Sequence, residues 1–302
     1  MIANDDLLDS QIAREIITLI VESALKKYKI DPSRAENIVI ETIQNHSVLL
    51  KLLEKNSPFK HIRKTHAYDE VYKKARHNIY YDLRQYNRDI EIQRQLTALL
   101  KQLPPNSPSS EIQPIVRQLV ETHISTKERL NEINDFYRQV FQLTGEPVSV
   151  IDIGCGMLPL LYPFEEEGKN TRCYVALDKD TGCIEALSAY APHLPHETLL
   201  PFRWNIKDGW KGIMEKLPVS CFDIAFLLKL VPVVSRLDMP LLKVLLDTPA
   251  QRWIISGSRV SMTRYFKIEN RERKIIERFI SESGKKITGE FSSMSEFCVV
   301  LE

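Results

Sequence analysis

The stretch Val148–Pro159 constrains the fold of this chain most, because it joins an apolar, β-branched run to a glycine turn. The run ends in Asp152 and is followed by Gly154 and Gly156. This pattern is typical of a buried parallel strand that leads into a ligand-binding loop. Glycines at such a turn leave no Cβ to block a nucleoside that lies against the backbone. The stretch therefore predicts an α/β fold with a nucleoside site after its first strand.

A second strand-like run, residues 173–177, is followed by an acidic residue, Asp178. Nucleoside-binding α/β folds place the carboxylate that binds the ribose hydroxyls at about this distance from the glycine turn. The third glycine of the dinucleotide fingerprint is missing and Pro159 lies nearby, which argues against NAD and FAD. A short Asp-x-Gly-x-Gly loop with an acidic second strand favours S-adenosylmethionine as the cofactor.

The composition is that of an ordinary soluble globular protein, with 43% hydrophobic and 27% charged residues. Five cysteines without a Cys-x-x-Cys pair fit neither a disulfide framework nor a zinc site, so we predict no metal. The first nine residues are acidic, unlike a signal peptide, and no apolar run reaches the length of a membrane span. We therefore expect a cytoplasmic protein without a membrane partner, and a monomer.

Basic residues are concentrated in two blocks. Residues 51–100 carry 11 Lys and Arg against 6 Asp and Glu, and residues 259–286 carry 9 against 4. Either block alone is compatible with a solvated helix face. Two blocks of the same sign that can meet across one cleft favour a phosphate-bearing partner.

The chain changes character at the breaker-rich stretch 103–110, which predicts a helical N-terminal domain over residues 1–105 and a second domain over residues 106–302. Strands and helices alternate in the second domain, which predicts an α/β fold with a doubly wound, mostly parallel sheet. The predicted strands are 148–153, 172–177, 200–204, 222–228, 251–256 and 296–301, and the predicted helices are 181–190, 236–247 and 268–283.

A predicted helix at about residues 68–86 mixes basic side chains with tyrosines. This mixture suits RNA, because bases stack on aromatic rings while cations bind phosphates. Tyrosines at this spacing are also compatible with half-buried packing. Together with the second basic block, this helix provides the candidate RNA-binding residues, which are Lys73, Lys74, Arg76, Arg84, Arg259 and Arg264.

The segment His123–Leu130 precedes the first strand of the predicted sheet. Ser125 and Glu128 have the spacing of a capping box, which predicts the start of a helix that continues to Phe141. Arg129 would then lie one turn into a helix beside the glycine loop. From there its guanidinium could form a two-pronged pair with a carboxylate of the ligand.

Four motifs occur in the order of a known family: His-x-Ser-Thr-x-Glu-Arg-Leu at 123–130, Asn-Asp-Phe-Tyr at 134–137, Ile-Asp-Ile-Gly-Cys-Gly at 151–156, and Phe-Leu-Leu-Lys-Leu-Val-Pro at 226–232. They resemble those of the 16S ribosomal RNA guanine-N7 methyltransferases that confer aminoglycoside resistance. The resemblance implies a helical RNA-binding domain, a Rossmann-like methyltransferase domain and S-adenosylmethionine as the cofactor. It also implies guanine 1405 of 16S rRNA in the 30S subunit as the target.

The resemblance also implies roles for individual residues. Arg129 would bind the methionine carboxylate, Asp178 would bind the ribose, and Asn205 with its neighbour would border the adenine. Lys229, at the end of an apolar run, would lie beside the target base as the catalytic residue, although a lysine that extends from a strand end into solvent gives the same pattern. The expected cofactor-binding residues are His123, Thr126, Arg129, Asp152, Gly154, Cys155, Gly156, Asp178, Lys179, Asn205, Ile206 and Leu228.

The chain departs from the family's pattern at Leu158, where members usually have asparagine, and over residues 257–266, which lack the usual proline and glycines. Candidates to face a flipped base lie in that second stretch, namely Arg259, Arg264, Tyr265 and Phe266. Guanine N7 has a free lone pair, so no essential general base is expected. The alternatives are a methyltransferase of another RNA or of a small molecule, and a non-catalytic RNA-binding relative.

Overall fold

A computed structural model describes residues 8, 10–83, 89–105, 107–164, 170–194, 198–261 and 267–302. The chain divides into two compact units. The first comprises Met1–Gln85 with Ser261–Phe266, and the second comprises Tyr86–Val260 with Lys267–Glu302. The candidate RNA-binding residues Arg84 and Arg264 lie outside the described residues, as do Tyr265 and Phe266.

The described part of the first unit is helical, as the sequence predicts. Side chains cap four of its helices: Ser10 accepts a hydrogen bond from the backbone N–H of Ala13, and Asp31, His46 and Thr65 cap their helices in the same way. The apolar faces form one core that includes the fully buried Ile16, Ile20, Ile43, Leu49 and Ile79. The helices are α1 (Gln11–Leu25), α2 (Pro32–Gln44), α3 (Ser47–Glu54), α4 (Phe59–Ile62) and α5 (His66–Asp82).

The second unit alternates helices and strands after four initial helices. These four are α6 (Ile90–Gln102), α7 (Ser109–Thr122), α8 (Ile124–Lys127) and α9 (Ile133–Thr144). The elements that follow are β1 (Ser149–Ile153), β2 (Cys173–Asp178), α10 (Thr181–Tyr190), β3 (Leu199–Arg203), α11 (Lys211–Met214), β4 (Phe222–Leu228), α12 (Leu230–Leu237), α13 (Leu242–Leu246), β5 (Ala250–Ser258), α14 (Glu269–Ser283), β6 (Ile287–Ser292) and β7 (Glu296–Leu301).

Among the described residues, seven strands form one sheet in the order β3-β2-β1-β4-β5-β7-β6. The first five strands pair in parallel, whereas β7 is antiparallel to both β5 and β6. This arrangement confirms the predicted doubly wound, mostly parallel sheet. The side chains of β1 alternate between two apolar layers, with Val150 in one layer and Ile151 in the other.

Two details of the predicted element order are wrong. β6 was not predicted, because it is an edge strand whose side chains are mostly exposed and carry little apolar periodicity. The single helix predicted at 236–247 is divided into α12, a short 3-10 helix at Met239–Leu241 and α13. Pro240 explains the division, because proline has no backbone N–H to continue a helix.

The structure divides the chain near residue 85, not at the predicted boundary after residue 105. The reason is that α6 packs in the second unit, where Leu96 and Leu100 join the core beside the sheet. Gly182 of α10 makes room for this contact, since a Cβ at that position would lie 2.9 Å from Nε2 of Gln93. The described residues 103–105 and 107–108 of the breaker-rich stretch therefore lie between α6 and α7 within the second unit.

None of the helices in the described part of the chain combines the length and the apolar character that a membrane crossing needs.

Candidate functional site

The turn after β1 requires glycine at two positions. Gly154 and Gly156 have φ angles of +69° and +55°, in the left-handed region that side chains disfavour. A Cβ on Gly156 would lie 2.5 Å from Cε1 of His123, and a Cβ on Gly154 would lie 3.1 Å from Cδ1 of Leu230. The sequence predicts that these glycines clear space for a ligand. The structure adds that Gly156 clears space for the buried imidazole of His123.

Asp178, at the end of β2, faces this turn. Its Oδ2 accepts a hydrogen bond of 2.9 Å from the backbone N–H of Gly156, and its Oδ1 accepts one of 2.9 Å from that of Asp180. Burial raises the pKa of the Asp178 carboxyl, and the amide bonds act in the opposite direction. Each carboxylate oxygen has two lone pairs, so both keep the capacity to accept from a ligand hydroxyl.

A cavity opens at the carboxyl ends of β1, β2 and β4, the edge where open α/β sheets bind ligands. Most of the residues expected from the sequence line it, namely His123, Gly154, Gly156, Asp178, Lys179, Asn205, Ile206, Leu228 and Lys229. Its lining also includes residues that were not predicted, namely Ser125, Ile153, Leu177, Asp180, Cys183, Trp204, Leu230, Val233, Val234 and Leu237. The site therefore combines a carboxylate at one strand end with a largely apolar wall.

Much of the apolar wall comes from two places that the sequence analysis does not assign to the site. One is the inner face of α12, where the turn-spaced Leu230, Val233, Val234 and Leu237 read in the sequence as ordinary core. The other is Trp204, whose ring stacks on Trp210 with 4.8 Å between ring centroids and whose Nε1 donates to the Gly209 carbonyl. Its position directly before the predicted Asn205 is the signal that could have identified it.

His123 is buried beside the glycine turn and held by its neighbours. Its Nδ1 lies 3.0 Å from Oγ1 of Thr126 and 3.2 Å from Oγ of Ser125. The pKa of His123 is lowered to about 4, mainly by burial; the nearby Asp180 charge opposes this change and the Arg129 charge adds to it. The imidazole is therefore neutral at pH 7. Thr126 is fully buried and does not line the cavity, so it supports His123 instead of facing a ligand.

The predicted capping box is not formed. α8 ends at Lys127 and α9 begins at Ile133, so the helix expected from Ser125 to Phe141 is interrupted. The two side chains have other partners: Ser125 contacts His123, and the Glu128 carboxylate accepts from Nζ of Lys229 at 2.7 Å. A long-range contact of Glu128 with Lys229 and a local contact of Ser125 with His123 have replaced the capping pattern.

Arg129 makes its two-pronged pair within the protein. Its Nε and Nη2 donate to the carboxylate of Glu296 on β7, with 2.9 Å between Nη2 and Oε2, and both side chains are buried. The remaining Nη1 lies 3.3 Å from the carbonyl oxygen of Ser125. Burial alone would raise the pKa of Glu296, but the Arg129 charge outweighs it and the pKa falls to about 2. The guanidinium edge expected to meet a ligand carboxylate is thus already occupied.

Asp152 and Cys155 lie beneath the cavity and do not line it. Oδ2 of Asp152 accepts a hydrogen bond of 2.8 Å from the Tyr174 hydroxyl. Burial raises the pKa of Asp152 to about 7, and the bond from Tyr174 and the charge of Arg129 limit the rise. These two predicted cofactor contacts are interior groups that support the glycine turn.

Lys229 stands at the rim of the cavity in the left-handed conformation, with φ of +57°. Its backbone N–H donates to the carbonyl oxygen of Ser256 at 3.1 Å and lies 3.0 Å from the Ser256 hydroxyl. Its side chain is only 13% exposed because it pairs with Glu128. A lysine that extends freely into solvent is therefore the wrong description of this residue.

The candidate RNA-binding residues have different environments. Lys73 and Lys74 are exposed on α5, whereas Arg76 is half-buried and donates to the Tyr72 hydroxyl at 2.9 Å. Tyr68 is buried and the Tyr72 hydroxyl lies 2.6 Å from Oγ of Ser23, so both tyrosines are packing residues.

Arg259, the remaining candidate RNA-binding residue that the structure describes, also has partners within the protein. Its Nε donates to the Glu269 carboxylate at 2.9 Å, and its Nη1 donates to the Ser293 carbonyl at 2.8 Å. These bonds join the end of β5 to α14 and to the turn before β7. Arg259 is thus held by bonds within the protein.

Comparisons with known proteins agree with this geometry. A family profile described as "Ribosomal RNA methyltransferase (FmrO)" matches residues 68–254, more than half of the chain. A curated 16S rRNA (guanine(1405)-N(7))-methyltransferase from Proteus mirabilis is 36% identical over 24% of this chain and 26% of the relative. Its namesake from Micromonospora echinospora is 25% identical over 58% of this chain and 66% of the relative. The matches thus span less than two thirds of these relatives' lengths.

Solved structures resemble the chain over more of its length. The 16S rRNA methylase ArmA superposes with a TM-score of 0.52 and 27% identity, over 70% of this chain and 97% of its own. The 16S rRNA methyltransferase RmtF, solved with S-adenosyl-L-homocysteine, superposes with a TM-score of 0.56 over 97% of this chain and 98% of its own. At 18% identity, the second comparison shows a shared fold alone.

The contact between Gly156 and His123 gives a test with a matched control. Gly156→Ala and Gly284→Ala both force alanine into the left-handed region, at a cost of about 1–2 kcal/mol each. A Cβ at position 284, where φ is +70° and ψ is 0°, meets nothing within 4 Å, whereas at position 156 it meets the His123 ring. We expect Gly156→Ala to lower the free energy of unfolding in urea more than Gly284→Ala does. Adding His123→Ala should remove the excess, and equal losses in the two single variants would disprove the contact.

Proposed function

Because the chain belongs to the ribosomal RNA methyltransferase (FmrO) family, we propose that it transfers a methyl group from S-adenosylmethionine to N7 of a guanine in 16S rRNA. The target is guanine 1405 or its equivalent, presented in the 30S subunit. The observation that carries the proposal is the cavity at the strand ends, where the Asp178 carboxylate faces the glycine turn. We further propose that the protein acts in the cytoplasm as a monomer.

The cavity lining fits the parts of S-adenosylmethionine. Asp178 has acceptor capacity for the ribose hydroxyls, and its neighbour Lys179 lies at the same edge. The apolar wall, with Ile206 and Trp204, suits the flat face of adenine, and Asn205 offers polar groups beside it. His123 is neutral at pH 7, so it does not repel the positively charged sulfonium.

The methionine carboxylate is the part with the least obvious partner. The two-pronged pair implied for Arg129 requires the guanidinium edge that Glu296 holds. We propose that Arg129 offers a ligand at most the Nη1 edge beside Ser125 and mainly fixes the segment that carries His123. Asp152, Cys155 and Thr126 act from beneath the site in the same supporting way.

The reaction needs alignment more than proton transfer. When bound, S-adenosylmethionine supplies a methyl group on a sulfonium, which guanine N7 can displace with its own lone pair. One N–C bond forms, one S–C bond breaks, and the positive charge passes to the purine, so no proton leaves the acceptor. The residues of the chain must therefore hold the base in line and exclude water.

Lys229 is the residue that we propose to lie beside the acceptor base. It occupies the rim of the cavity at the end of β4. Its ammonium is paired with Glu128 at 2.7 Å, so the rim does not present an uncompensated positive charge to a purine that becomes cationic. An ammonium can still donate to a guanine acceptor, since it has three N–H groups.

The proposal is tested by transfer of a labelled methyl group to purified 30S subunits, followed by mapping of the modified nucleotide. We expect N7 modification of guanine 1405, seen as chemical strand scission at that position. We also expect resistance to gentamicin- and kanamycin-type drugs, since the methyl adds bulk and positive charge where a cationic drug binds. Protein that binds the cofactor but leaves guanine 1405 unmodified, in sensitive cells, would contradict the proposed target. Labelling of another nucleotide or RNA would then identify the true acceptor.

Binding of the subunit should depend on the exposed lysines of α5. We expect Lys73→Glu with Lys74→Glu to weaken 30S binding at low salt and to lower the slope of log affinity against log salt by about 1–2, because each phosphate contact releases counterions. Affinity for S-adenosylmethionine should not change. The control is Lys211→Glu with Lys216→Glu, which makes the same charge change at exposed sites in the other unit. Equal weakening by both pairs would contradict a specific role of α5.

A further inference from the structure

The left-handed backbone of Lys229 is unusual for its residue type. Among the residues that the structure describes, Asn56 is the other non-glycine with positive φ. Asparagine adopts this conformation readily, whereas lysine disfavours it. A strained residue of this kind persists only where its surroundings hold it, and such residues concentrate at functional sites. The contacts that hold Lys229 are therefore informative about the cavity rim.

The backbone of Lys229 is held from β5 by Ser256. The N–H of Lys229 points at both the carbonyl oxygen and the hydroxyl of this fully buried serine, at 3.1 Å and 3.0 Å. The Ser256 hydroxyl in turn donates to Oε2 of Glu296 at 2.7 Å. A hydroxyl has one proton to donate, so donation to Glu296 leaves its lone pairs directed at Lys229. The charge of Glu296 thus orients the Ser256 hydroxyl so that its oxygen accepts from the backbone N–H of Lys229.

The side chain of Lys229 is held by a separate contact, with Glu128. Its Nζ pairs with Glu128, and the next residue, Arg129, pairs with Glu296. Glu128 therefore binds Lys229 directly, and the adjacent Arg129 binds the Glu296 carboxylate that orients Ser256. Backbone and side chain of Lys229 are fixed by one connected set of polar contacts.

We propose that Ser256, directed by Glu296, is a positioning residue for methyl transfer, because it holds Lys229 in the left-handed conformation that places its side chain at the cavity rim. Neither Ser256 nor Glu296 lines the cavity, so both act through Lys229 and not on a ligand. The inference rests on the proposed function. It predicts that loss of the Ser256 hydroxyl impairs the transfer step and spares cofactor binding.

A double-mutant cycle tests this inference in the full-length protein. The variants are Ser256→Ala, Lys229→Ala and their combination, compared by kcat and KM for methyl transfer to 30S subunits. We expect Ser256→Ala alone to lower kcat roughly tenfold to a hundredfold, the range for a misplaced group, with the Kd for S-adenosylmethionine within about twofold of wild type. In the Lys229→Ala background, Ser256→Ala should change kcat by less than about twofold, because its effect passes through that side chain.

A second background, Lys229→Gly, controls for a folding defect caused by backbone strain in Lys229→Ala. Lys229→Gly accepts the left-handed conformation without strain and lacks the side chain, so kcat of this variant should also be insensitive to Ser256→Ala. An unchanged kcat in Ser256→Ala alone would overturn the inference, as would equal losses in all three backgrounds. A wild-type chain that binds the cofactor but methylates no subunit would instead contradict the proposed function.

Discussion

The buried pair between Arg129 and Glu296 is the interaction on which the organisation of the site depends. It joins the segment before β1 to the antiparallel strand β7, two parts of the chain separated by 167 positions. Through Glu296 it reaches Ser256 on β5, and through Glu128 the same segment reaches Lys229 at the end of β4. Removal of one partner from such a buried pair costs on the order of 3–5 kcal/mol, because the other charge is left uncompensated.

This pair also affects how charge is distributed around the cavity. Among the residues that face the cavity, Asp178 bears a carboxylate held by backbone amides and His123 bears a neutral ring. The strong charges of Arg129 and Glu296 lie behind them and neutralise each other. A site of this kind can accept a cationic cofactor without strong repulsion, while the polar contacts at the rim fix the group that faces the acceptor.

Local patterns in the sequence predict the sheet and the edge of the sheet that bears the cavity. The run into Asp152, the two glycines and the acid at the end of β2 identify the turn and its carboxylate, because strand burial and left-handed turns leave strong local signals. The glycine–histidine contact was not predictable, since it joins Gly156 to a residue 33 positions earlier that carries no periodic pattern.

Most of the errors arise from contacts between distant segments. Ser125 and Glu128 have the spacing of a cap, yet Glu128 binds Lys229, 101 positions away, and Ser125 binds its near neighbour His123. Residues 103–110 have the composition of a domain linker, yet Leu100 buries α6 against the sheet domain. An acid at the start of the apolar run of β7 does signal that Glu296 has a partner, because buried charges are rarely unpaired. Nothing in the sequence identifies that partner as Arg129.

The central claim is that the carboxylate at the end of β2 holds the cofactor. Calorimetric titration of S-adenosylmethionine into wild type and Asp178→Ala tests this most directly, with Asp247→Ala, an exposed acid that lines neither this cavity nor the adjoining one, as the control. We predict an affinity loss of roughly tenfold or more for Asp178→Ala, as expected for hydrogen bonds to a charged group, and little change for Asp247→Ala. An unchanged affinity in a folded Asp178→Ala variant would contradict the account.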